Sequence, residues 1–118
     1  MMELSLGSEK IWFYSKIVDF RKSINGLVSL ISQDLSIRAE EGIFIFCNRH
    51  RDKVKVLGWH GNGFVLLYKR LEAGKFTVLV DEDNLTVVLD EQRLSWLLAG
   101  LDWDKMRHWD SLSYDEYA

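Results

Sequence analysis

Two runs of alternating residues, "DKVKVLGW" (Asp52 to Trp59) and "FVLLYKRL" (Phe64 to Leu71), flank the tetrapeptide His60-Gly61-Asn62-Gly63. Charged and apolar side chains that alternate mark a strand with one wet face. Asn62-Gly63 is a strong two-residue hairpin signal. Side chains of a strand point to opposite faces in turn, so the pairing parity decides which residues are neighbours. With an even loop, Lys53, Lys55, Leu57 and Trp59 lie beside Phe64, Leu66, Tyr68 and Arg70. Val54, Val56, Val65 and Leu67 then form the opposite face, directed at the core. Arg70 falls opposite Lys53 or Lys55, and like charges directly across a strand pair repel. Solvent, a nearby carboxylate or a bound polyanion has to relieve them.

The remaining elements follow from period and punctuation. "KIWFYS" reads as a first strand. Asp19 is placed to cap a helix through "DFRKSINGLVSLISQDL", whose Phe20, Ile24, Leu27, Val28, Ile31 and Leu35 form one apolar stripe. Gly42 to Cys47 reads as a buried strand. "GKFTVLV" follows Gly74 as a further strand, and "NLTVVL" follows the acidic turn Asp81-Glu82-Asp83. Asp90 caps a second helix, "EQRLSWLLAG", with Leu94, Leu97 and Leu98 inward and Gly100 as its stop. The expected fold is α+β: an antiparallel β-meander of four to five strands, with one helix before and one helix after it.

The chain has 118 residues, no proline and no Ser/Gly-rich linker, so residues 1–118 read as a single domain. Its ordered core is expected over about 10–103, followed by an acidic tail, 104–118. A hydrophobic content of 47% with 28% charged residues excludes a disordered chain. No apolar run is long enough to span a bilayer, and "MMELSLGSEKIWFY" lacks the basic-then-apolar order of a signal peptide. No membrane association and a cytoplasmic location are therefore expected.

Charge is unevenly placed. The net charge is −3, yet residues 48–75 carry Arg49, Arg51, Lys53, Lys55, Lys69, Arg70 and Lys75 against only Asp52 and Glu72. Together with His50 these cations make a candidate anion-facing surface, and Trp59 and Tyr68 are candidate stacking rings among them. The plainer alternative is a solvated strand face, where lysine also discourages edge-to-edge aggregation. The stretch from Asp81 to Ala118 is acidic enough to pair with such a surface, within one molecule or across a homodimer.

Other constellations fall short. Cys47 and His50 have a C-x2-H spacing, but with only His60 and His108 elsewhere no second close pair completes a zinc site. Cys47, at the end of an apolar strand, reads as a small buried residue. Gly61-Asn62-Gly63 lies between two strands, so a turn explains it better than a phosphate loop. Asp81, Glu82 and Asp83 read as a turn, not as converging metal-binding carboxylates. No catalytic residue, metal or cofactor is expected. Trp96 and Trp103 read as core or interface aromatics, with the core reading favoured at helical spacing beside leucines, while Trp109, Tyr114 and Tyr117 are available to a partner.

"VDFRKSINGLVSLI", "FIFCNRHRDKVKVLGWHGNGFVLLYKRLEAGKF" and "LSWLLAGLDW" resemble, in that order, the second-open-reading-frame accessory protein of the insertion sequence 66 family. This protein is labelled TnpB and is unrelated to the RNA-guided nuclease that shares the label. The middle segment is the most specific, through Phe46-Cys47-Asn48-Arg49, Lys53, Lys55, Trp59, Gly61, Gly63, Tyr68-Lys69-Arg70-Leu71-Glu72 and Gly74. The chain departs from the family pattern at His60, Asn25 and Thr77-Val78, where an acid, Asp and Trp-Pro are common. The resemblance implies a part in DNA transposition beside a separate, larger transposase, and it carries no catalytic residues. The leading expectation is a non-catalytic module that binds DNA at the element ends. The alternatives are an adaptor that docks on the transposase or dimerises, and a metal-dependent nuclease-like enzyme.

Overall fold

The computed structural model describes residues 10–100. The expected tail from 104 onward, with Trp109, Tyr114 and Tyr117, lies outside the described residues, as do Trp103 and His108.

Five strands form one sheet: β1 (Lys10–Ile17), β2 (Gly42–Cys47), β3 (Lys53–His60), β4 (Gly63–Arg70) and β5 (Thr86–Leu89), in the order β4-β3-β2-β1-β5. Helix α1 (Ile24–Leu30) runs on into a π-helical turn, Ile31–Leu35, and α2 (Glu91–Leu98) follows β5. The α+β class is as expected, but the sheet is mixed. β1 and β2 are parallel, and every other neighbouring pair is antiparallel. The reason is α1. It lies between β1 and β2, not before the sheet, and returns the chain to the starting end, as a parallel pair requires.

Helix α1 also begins later than Asp19 suggests. Asp19 accepts from the Arg21 backbone N–H at 2.9 Å and pairs with its guanidinium at 2.7 Å, closing a turn of its own. The helix starts after Ser23, whose carbonyl accepts from Leu27 N–H at 3.0 Å. The expected stripe is present: Leu27 and Ile31 are fully buried, and Phe20, Ile24, Val28 and Leu35 pack around them on one sheet face. The π-helical turn carries Asp34 to the Tyr14 hydroxyl, which donates to it at 2.5 Å.

The stretch "GKFTVLV" is not a strand. Phe76 and Leu79 both enter the core on the α2 side of the sheet. Residues three apart cannot share a face at a period of two, so this segment plugs the core as an irregular strap. Asp90 caps α2 through a bond from Arg93 N–H at 2.7 Å, and Gly100 ends it at φ 75°. Strand β2 is buried along its whole length, sandwiched between the α1 layer and the α2 layer. Among the described residues no helix is long and apolar enough to cross a membrane.

Candidate nucleic-acid interface

The hairpin has the even loop that sets the expected faces. His60 pairs with Gly63, so the turn is Gly61-Asn62, one residue earlier than Asn62-Gly63. Gly61 takes φ 62°, which suits the first position of a type II′ turn, where glycine is favoured. Pairing then runs Trp59 with Phe64, Leu57 with Leu66, Lys55 with Tyr68 and Lys53 with Arg70. The repulsion between Lys53 and Arg70 is eased by a carboxylate: Glu72 accepts from the Arg70 guanidinium at 2.8 Å. Both partners of that bridge are exposed, so it contributes little and is readily exchanged for another anion.

The face shared by Lys53, Lys55, Tyr68 and Arg70 is not uniformly wet, which corrects the sequence expectation. The turn preceding α1 folds over its middle. Lys55 is only 8% exposed. Its ammonium donates to the carbonyls of Phe20 at 2.9 Å and Lys22 at 2.8 Å, and lies 4.9 Å from the Phe20 ring centre. It is a clamp between hairpin and helix, with two of its three N–H donors committed to main-chain carbonyls and little of the residue open to a phosphate. Trp59 is half-buried and packs edge-on against Phe64, beside the turn. Lys69 lies on the opposite face and donates to the Leu98 carbonyl at 2.6 Å, tying β4 to the end of α2.

What the structure does bring together is the β2–β3 loop with the start of the strap. Asn48, 7% exposed, organises the loop. Its Oδ1 accepts from the backbone N–H groups of Asp52 at 3.1 Å and Lys53 at 3.0 Å, and its Nδ2 donates to Asp52 Oδ1 at 2.7 Å. That amide bond holds the Asp52 carboxyl below the usual aspartate range. Arg51 sits in the left-handed region at φ 59°, and its carbonyl accepts from Phe76 N–H at 2.6 Å. Lys75 closes the contact by donating to the His50 carbonyl at 2.7 Å. Arg49, His50 and Arg51 are exposed, Lys53 is half-exposed, and the side chains of Arg49, Arg51 and Lys53 make no hydrogen bond or ion pair with the described residues. Asn48 carries no charge and drew no attention as a site residue. Its signal was an Asn four residues before Asp52 at a strand-to-strand connection, a position suited to bonding its own backbone.

Beneath this loop Cys47 is buried, as its position implied. Burial pushes its thiol up to about 11, and Arg51 offsets part of that rise. At pH 8 the folded protein is expected to resist a thiol reagent, with less than about a tenth of an equivalent reacting while unfolded protein is fully modified. Complete reaction of the native protein would contradict the burial. Among the described residues no three His, Cys, Asp or Glu side chains converge to hold a metal.

The family model described as IS66 Orf2 like protein matches residues 9–108, which spans the whole sheet, both helices and the cationic loop. The chain belongs to this family. It is therefore an accessory protein of an insertion sequence, a component of DNA transposition. Among curated proteins, this IS66 Orf2-like chain is 34% identical over 99 residues to "Uncharacterized protein y4jC" of Sinorhizobium fredii (strain NBRC 101917 / NGR234), covering 83% of this chain and 84% of the relative. It is 28% identical over 95 residues to "Uncharacterized protein y4hO" of the same strain, covering 80% and 82%. No solved structure matches it.

Proposed function

We propose that this IS66 Orf2-like protein is a non-catalytic DNA-binding accessory that acts at the element ends beside a separate transposase. Arg49, Arg51 and Lys53 are the principal phosphate contacts, flanked by His50, Arg70 and Lys75. One observation carries the reading: a loop whose backbone is held at Asn48, Arg51, Asp52 and Lys53 leaves the side chains of Arg49, Arg51 and Lys53 without partners among the described residues. Most cations of the run are committed elsewhere, to carbonyls or to Glu72, so the surface is narrower than the sequence count implies. Three neutralised phosphates give a log–log dependence of affinity on salt with a slope of about −3. Titration of the full chain against element-end DNA between low and moderate salt measures this. No binding at low salt removes the proposal.

A second reading, docking on the transposase, draws on a separate surface. Val80 and Val88 are 71% and 55% exposed at the strap and on edge strand β5. A pull-down with the transposase in nuclease-treated extract separates the two. A complex that survives nuclease favours direct docking, and one that disappears favours a DNA bridge.

A further inference from the structure

The loop cations Arg49, Arg51 and Lys53 and the Trp59–Phe64 ring pair occupy different ends of the hairpin. Lys53 and Arg70 pair at one end, and Trp59 and Phe64 pair at the other. Six residues of extended strand, about 20 Å, separate Lys53 from Trp59. The Trp59 ring is turned edge-on to Phe64, with centres 4.9 Å apart. Phe76, next to Lys75, is 1% exposed and points into the core. Among the described residues Tyr68 is the one exposed Phe, Trp or Tyr ring; it pairs with Lys55 at the cationic end, two residues from Arg70, and meets Phe20 edge-to-face at 6.1 Å between centres.

The cations, in contrast, are carried on a stiff frame. Asn48 fixes one side of the loop, and bonds from Phe76 N–H and the Lys75 ammonium to the carbonyls of Arg51 and His50 fix the other. Proteins that hold single strands set rings among their cations, so that successive unpaired bases stack on them. A hydrogen-bonded frame of cations with a single exposed ring beside it, Tyr68, instead suits phosphates held at constant spacing, with the bases already stacked inside a duplex.

Resting on the DNA reading above, we infer that the ligand is double-stranded DNA gripped through its phosphate backbone, without stacking on unpaired bases. The test compares the full chain's affinity for a fluorescent duplex of about twenty base pairs and for one of its strands alone, at low salt. The duplex is expected to bind more tightly by roughly tenfold. Exchanging Arg49→Gln and Arg51→Gln together lowers duplex affinity by roughly tenfold and flattens the salt slope by about 2. Tyr68→Leu leaves duplex binding within about twofold. Equal or tighter binding of the single strand, weakened by Tyr68→Leu, overturns the inference while leaving DNA binding intact. Binding to neither form overturns both.

Discussion

Replacing Lys55 by methionine is expected to lower the melting temperature by roughly 8–12 °C, whereas the same change at Lys53 shifts it by less than about 2 °C. Both residues sit on one strand face, two positions apart, and by alternation they are equivalent. Their surroundings are not. The Lys55 ammonium bonds two carbonyls of the turn before α1 and lies against the Phe20 ring. Charge-assisted bonds of this kind contribute about 1.5–3 kcal/mol each before partial rehydration of the released carbonyls. Methionine keeps most of the packing volume, so a net loss of about 2–3 kcal/mol isolates the polar clamp. Burying a charge is itself expensive, and well-packed apolar replacements of buried ion pairs are sometimes more stable. Here the acceptors are main-chain carbonyls that remain behind, which tips the balance toward destabilisation. Thermal unfolding followed by circular dichroism decides it, and unchanged stability of Lys55→Met would show that the clamp is dispensable. Lys53→Met gives the reverse pattern: native stability with weakened DNA binding.

Asn48→Ala is the second large effect. It removes the acceptor of two backbone N–H groups and the donor to Asp52 in a partly buried loop. The expected loss is about 2–3 kcal/mol, from donors left without partners. Arg51, kept at φ 59° by this loop, loses the support for its left-handed conformation. Affinity for DNA should therefore fall by roughly five- to tenfold under conditions where the variant remains folded, because the loop has to be ordered on binding. Asn48→Asp is the informative companion. It keeps the acceptor oxygen but loses the amide donor and sets a second carboxylate beside Asp52. A variant that unfolds more readily yet binds DNA as tightly as the native chain would show that loop order is irrelevant to binding.

The contrast between Lys53 and Lys55 marks where sequence reading reached its end. Strand alternation and a Gly-Asn-Gly turn are local, so the hairpin and the two faces that an even loop would give it were legible; the parity itself and the choice of Lys53 or Lys55 opposite Arg70 stayed open, and the turn lies one residue earlier than Asn62-Gly63. Burial of Cys47 and the capping of α2 by Asp90 were likewise local matters. The clamp on Lys55 was not, because its acceptors lie 33 and 35 residues earlier in the chain. The same applies to the parallel pairing of β1 with β2, which depends on where α1 sits. Charge counting located the cationic run. It could not reveal that Lys55, Lys69 and Lys75 donate to carbonyls of the fold, or that Trp59 stands a hairpin's length from the loop.

Among the described residues strand β5 is the last in chain order, and its hydrogen-bonded neighbour is the first. β1, complete at Ile17, therefore waits until the chain has grown to Leu89 before its second edge is covered. Until Thr86 to Leu89 emerge, Ile11 and Phe13 belong to a nascent sheet with a bare apolar margin, open to pairing with other chains. A product cut short before β5 by a frameshift or premature stop is thus an aggregation hazard, not a smaller working domain.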